Sequence, residues 1–176
     1  MRDQIDVLIE RRNLNALSPL LDGADIDSIR YAAQQLVNAL QESDEDLFEH
    51  IERLISTSKN GSHHLACQLI PHAHSAQRKK AIAYLPQLIE SDDWTIRDAA
   101  CEVAGQLLRK DFSRTIGVLE TWRSRDSINL YRAIVIAAIR ASDPMHLERA
   151  EPLLKLLEPL LSVEESIIRR NLGPSA

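Results

Sequence analysis

Five short stretches of this chain superpose at almost constant spacing, and that periodicity leaves few folds open. Ile29-Arg-Tyr-Ala-Ala33 lies over Ile96-Arg-Asp-Ala-Ala100, and His63-His-Leu-Ala-Cys67 lies over Arg97-Asp-Ala-Ala-Cys101. Leu130-Tyr-Arg-Ala-Ile134 and Ile168-Arg-Arg-Asn-Leu172 continue the series. In this register Tyr31, His64, Asp98, Arg132 and Arg170 are equivalent, at steps of 33, 34, 34 and 38 residues. A helix pair recurring at that length marks an all-α fold of the α-solenoid type, because one pair cannot bury its apolar face alone and stacks on its neighbours. The second helices then line a concave surface, and the five equivalent residues form a ladder along it.

The clearest rung is Ser91 to Leu108. Asp92 or Asp93 can cap the free N–H groups of its first turn, and a carboxylate suits that end of the helix dipole. Ile96, Ala99, Ala100, Val103, Ala104, Leu107 and Leu108 follow the spacing of one buried stripe, with alanines small enough to let a neighbouring helix come close. Trp94 and Asp98 are four apart and share a different face of the same helix.

Around this rung the chain reads as a leading helix over 2–11 and five helix pairs: 14–22 with 26–40, 44–57 with 61–72, 76–90 with 93–109, 112–124 with 127–141, and 145–161 with 163–172. Turn and cap chemistry separates them: Asp22-Gly-Ala-Asp-Ile-Asp27, Ser43-Asp-Glu-Asp46, Ser58-Lys-Asn-Gly61, Ser142-Asp-Pro144 and Ser162-Val-Glu-Glu165. Sustained period-2 alternation, the mark of strands, is absent. The expectation is one domain over 1–176, cut at its C-terminal end: either further repeats follow, or the last helix is short and its exposed side meets a partner.

Composition narrows the function classes. The N-terminal stretch is charged and amphipathic, unlike a signal peptide, and no apolar run nears a membrane span of roughly 20 residues, so a cytoplasmic protein without membrane contact is expected. The net charge of −5 is uneven: residues 1–75 carry 6 basic and 12 acidic side chains, residues 76–140 carry 11 and 8, and residues 141–176 carry 4 and 6. An acidic total argues against strong nonspecific binding to nucleic acid, whereas the basic middle third leaves local phosphate contacts open. No Gly-rich phosphate loop or nucleophile motif occurs, and no small-molecule cofactor is expected. Cys67 and Cys101 fall among apolar helix residues and read as reduced core thiols. His63, His64, His72 and His74 lie near Cys67. A His63–Cys67 metal pair would pull Cys67 out of the apolar stripe, and no second cluster has zinc spacing, so no metal is expected.

Leu85-Pro-Gln-Leu with Ile96-Arg-Asp-Ala-Ala100 resembles the HEAT repeat. Asp92-Asp-Trp-Thr-Ile-Arg-Asp98, followed by Leu119-Glu-Thr-Trp-Arg-Ser-Arg-Asp126 and Leu130-Tyr-Arg-Ala133, resembles the HEAT-like family of DNA alkylation repair glycosylases. That resemblance implies a Trp and an Asp at i, i+4 on one repeat and an Arg one repeat later facing DNA, positions filled here by Trp94, Asp98 and Arg132. In such a site Asp98 would stabilise positive charge developing on the sugar as a cationic alkylated base departs, Trp94 would hold the base or sugar, and Arg132 would fix a phosphate. Tyr31, His64 and Arg170 on the ladder, with Arg97, Arg123 and Arg125, are further candidates for contact with DNA or a protein partner. Arg109, Lys110 and Arg114 can add phosphate contacts where they face the groove.

Plainer roles stand beside these. Trp94 can seal the preceding turn, Asp98 can pair with Arg132 or Arg97, Arg97 can be ordinary repeat consensus, and Arg78-Lys-Lys80 can be a solvated helix start. Two functions follow: a noncatalytic module whose concave surface recognises a protein or nucleic-acid partner, or a glycosylase that excises cationic alkylated bases from duplex DNA.

Overall fold

The computed structural model describes residues 1–42, 46–57, 59–73 and 77–162. The expected helix over 163–172, its rung residue Arg170, and His74 lie outside the described residues. The fold is all-α and solenoid-like, with no strand among the described residues. None of the described helices is long and apolar enough to cross a membrane. The chain divides into two compact units, Met1–Leu88 and Ile89–Ala176.

In the first unit, α1 (Arg2–Glu10) packs on α2 (Leu14–Leu21) and α3 (Ile26–Glu42), while α2, α3 and α4 (Leu47–Ile55) pack on α5 (Asn60–Leu69). The core is built from Ile5, Leu17, Leu21, Ile29, Ile51, Leu65 and Leu69, each within a few per cent of complete burial. Short polar residues start the helices as the cap rules require: Asn13 accepts the Ala16 N–H, Asp46 the Phe48 N–H and Asp25 the Ser28 N–H. These hydrogen bonds from Ser28 also hold the Asp25 carboxyl below its ordinary range.

The helix expected over 76–90 is two helices, α6 (Arg78–Ile82) and α7 (Leu85–Ile89), with a turn at Ala83 and Tyr84. Pro86 explains the break. It has no N–H to donate to the Ile82 carbonyl, and its ring excludes that oxygen, so the helix stops and restarts with proline in the new first turn.

In the second unit α8 (Trp94–Lys110), α9 (Phe112–Trp122), α10 (Ile128–Ala141) and α11 (Ala150–Leu157) follow in order. All seven residues of the stripe expected on α8 are buried. Ala133, Ile134, Ala137, Ala138 and Ala141 of α10 are buried as well, and α10 packs on α8, while α9, with Leu119 and Trp122 buried, packs on both. The helix expected from residue 145 begins only at Ala150, preceded by a 3-10 turn over Leu147–Arg149. This start leaves Pro152 in the first turn of α11, where its missing N–H costs no helical hydrogen bond.

Candidate functional site on α8 and α10

Asp93 caps α8, accepting the Thr95 N–H at 2.8 Å and the Thr95 hydroxyl at 2.6 Å. Arg97 holds the same loop from the helix side, donating to the Ser91 carbonyl at 2.6 Å and the Asp92 carbonyl at 2.9 Å. The first turn of α8 is therefore anchored twice, and Trp94, its first residue, is 65% exposed. A ring this open does not seal the preceding turn.

One turn on, Asp98 meets Arg132 of α10 at 2.5 Å. The Arg132 side chain is 26% exposed and that of Asp98 is 44% exposed, so the pair is reachable from solvent. Another turn along α8, Glu102 forms a second ion pair with Arg140. The Glu102–Arg140 pair is exposed, and such pairs contribute only about 0.2–1 kcal/mol to stability, so solvent or a ligand can replace one partner at small cost; Asp98–Arg132 is part-buried. Asp98, Glu102, Arg132, Ile136, Ile139 and Arg140 line one open cleft of about 500 Å³. Cys101, also on α8, is a buried free thiol whose pKa is pushed up to about 12 chiefly by burial, with Arg132 acting the other way; it is unionised at neutral pH.

Trp94, Asp98 and Glu102 thus recur at i, i+4, i+8 on α8, and Arg132, Ile136, Ile139 and Arg140 at i, i+4, i+7, i+8 on α10, each series occupying one helix face. The face combines an open aromatic ring, a carboxylate, a guanidinium fork and exposed aliphatic surface. That set can hold a phosphate and stack on a planar ring.

The model of a family described as DNA alkylation repair enzyme matches residues 21–174. The chain belongs to this DNA alkylation repair family. No curated protein and no solved structure is a significant match.

The other ladder residues of this family member fall elsewhere. Tyr31, in the first unit, donates to Asp6 of α1 at 2.9 Å, which raises its hydroxyl's pKa, and the Arg2 guanidinium sits 4.9 Å from its ring centre. The hydroxyl and one ring face are thereby committed to the leading helix. His64 is half-buried on α5, while neighbouring His63 bonds the Thr57 carbonyl at 2.7 Å. Arg123 donates to the Lys155 carbonyl at 3.2 Å, on the side of α9 and α11 and not on the cleft lined by α8 and α10. Arg125 is exposed in the 3-10 turn after α9. Among the described residues no group of three or more His, Cys, Asp or Glu could hold a metal ion. Glu102, Ile136, Ile139 and Arg140 escape a reading that takes one residue per repeat; their signal is the continuation of Asp98 and Arg132 by whole helical turns.

Proposed function

We propose that this chain is a duplex-DNA binding module and that the α8/α10 face makes the contact. The observation that carries the proposal is the open alignment of Trp94, Asp98 and Arg132 on that face, in a chain of a DNA alkylation repair family. A guanidinium is suited to phosphate, whose oxygens it meets two at a time, and Arg132 has N–H groups left over after Asp98. Trp94 offers a ring face to a base or sugar. Because the chain carries a net charge of −5, affinity depends on such local contacts and not on a general basic field.

A second reading, excision of a cationic alkylated base, is favoured by Asp98 lying one helical turn from Trp94. In that reaction the C1′–N bond breaks with its electron pair leaving on the base, which departs neutral, and water adds hydroxide to C1′ and releases a proton. When a phosphate takes the guanidinium of Arg132, Asp98 loses its partner and faces the positive sugar as an unpaired carboxylate, the arrangement that stabilises an oxocarbenium ion. Trp94 holds the cationic base by its ring face.

Fluorescence anisotropy of a short labelled duplex tests the binding proposal. Arg132→Ala and Trp94→Ala are each expected to weaken binding by about tenfold or more, the scale of one phosphate or stacking contact. If the intact chain does not bind duplex at low salt, the DNA reading fails and a protein partner takes its place. Release of alkylated base from methylated duplex, abolished by Asp98→Asn, supports the catalytic reading; no release by the intact protein overturns it.

A further inference from the structure

We infer that Arg140 is a second phosphate-binding residue on the α8/α10 face, held beside Glu102 until the DNA backbone displaces that carboxylate. The inference rests on the DNA-binding proposal above and extends it by one contact: Arg140 starts eight residues along α10 from Arg132, but its guanidinium meets Glu102, only one helical turn, about 6 Å, along α8 from Asp98.

Three features of the packing single out Arg140. The first is its route. Counting α10 against α8 from the Asp98–Arg132 pair, the residue level with Glu102 is Ile136, an apolar residue that cannot answer a carboxylate. Arg140 comes from one turn further on and leans back toward the N-terminal end, the direction in which helical side chains point. The second feature is the space that admits this path. A Cβ at Gly105 would lie 2.9 Å from the Arg140 Cβ and 3.2 Å from its Cδ, so the stem of Arg140 crosses α8 where α8 has no side chain. The third is access. The Arg140 side chain is 52% exposed even with Glu102 beside it. A guanidinium has five N–H donors and one carboxylate satisfies at most two of them directly, so a phosphate oxygen can bind before the carboxylate leaves.

Between the two arginines the cleft is lined by Ile136 and Ile139, the latter 52% exposed. An aliphatic ridge between two cationic anchors matches a DNA strand, in which charged phosphates alternate with the less polar faces of deoxyribose. Each carboxylate makes its arginine electrically neutral toward distant polyanions, and a close phosphate regains the charge by displacing it. The face would thus attract DNA weakly from afar and hold it at contact.

The test is a double-mutant cycle on duplex affinity as a function of salt, with thermal melts showing that each variant folds. Arg140→Ala is expected to weaken binding and to lower the slope of log affinity against log salt by about 1, the signature of one lost phosphate contact. Glu102→Gln is expected to strengthen binding several-fold, and that gain is expected to vanish in the Arg140→Ala background. Glu120→Gln, which removes the same charge from an exposed position on α9, controls for the loss of a negative charge as such. If duplex binds and responds to Arg132→Ala, yet Arg140→Ala leaves affinity and salt slope unchanged, Arg140 serves only to join the helices and the inference is wrong while the DNA proposal stands. A gain from Glu102→Gln that persists without Arg140, or is matched by Glu120→Gln, overturns the displacement mechanism. Absence of duplex binding by the intact chain removes the proposal on which the inference rests.

Discussion

The α2/α5 seam of the first unit and the α8/α10 seam of the second use polar side chains differently, although the second unit also buries Thr115 of α9, which donates to the Leu107 carbonyl at 3.2 Å. In the first, polar groups are spent inside the packing. The Ser62 hydroxyl donates to the Ser18 hydroxyl at 2.5 Å with both residues buried, and Asp22 of the α2–α3 turn accepts the Gly61 N–H at 2.5 Å. Gly61 is required there, since a Cβ would run into the Ser18 carbonyl and Asp22. In the second unit the buried residues of α8 and α10 are alanine, valine, leucine and isoleucine with Cys101 and Gly105, and Asp98, Glu102, Arg132 and Arg140 stand outside them in the open cleft. Buried hydrogen bonds fix one arrangement of helices but leave nothing for a ligand, whereas an apolar seam needs no help from the charges above it. Binding chemistry can therefore collect on the second unit without weakening its core.

The largest effect expected from this contrast is in the apolar seam. Ile134 is fully buried, and Ile134→Ala is expected to cost about 2–5 kcal/mol, read from denaturant midpoints. A loss under 1 kcal/mol would mean the seam is not what holds α8 and α10 together.

Next comes the buried polar seam of the first unit. Ser62→Ala leaves the Ser18 hydroxyl buried without its donor, and a loss of about 1–3 kcal/mol is expected. If the variant is as stable as the parent, the hydrogen bonds there are incidental and the contrast collapses.

Asp98→Asn and Glu102→Gln sharpen the contrast from the other side. Glu102→Gln is expected to change stability by less than about 1 kcal/mol, because its pair is exposed, and Asp98→Asn by somewhat more, because Arg132 is part-buried. If the proposed function holds, their consequences fall on DNA affinity or base release instead.

The smallest effect at neutral pH is that of Cys101→Ala on the pH dependence of stability. The thiol's pKa in the folded chain, about 12, stands above its ordinary value of 9.0, so the unfolded chain loses the proton first. The stabilising difference is intact below about pH 9 and fades as pH rises toward 12. Denaturant melts of the parent and the variant should therefore run parallel with pH up to about 9, and the parent should lose ground above it.

Much of this was legible in the chain. The stripe from Ile96 to Leu108 names the buried face of α8 because a helix repeats its faces every 3.6 residues whatever surrounds it. Asp93 announces the start of that helix through cap chemistry that depends only on neighbouring residues. The break before Leu85 is also written locally, in Pro86, but the apolar spacing of 76–90 runs across it and suggests one helix. On the cleft, the repeat period aligns Asp98 with Arg132 and so identifies two side chains that touch. It passes over Glu102 and Arg140, because their separation of 38 residues is one turn longer than the local period of 34.

By itself, then, the sequence determined the helical class, the faces that would be buried, and the register that sets Asp98 beside Arg132 with Trp94 one turn away on α8, all of which follow from periodicities within a single chain. Tertiary structure decided which charges meet. Arg140 reaches Glu102 because α8 and α10 approach closely at a glycine and a long side chain can cross there. How near two helices lie, and where a flexible stem finds room between them, are properties of the packed pair that no spacing along one helix contains.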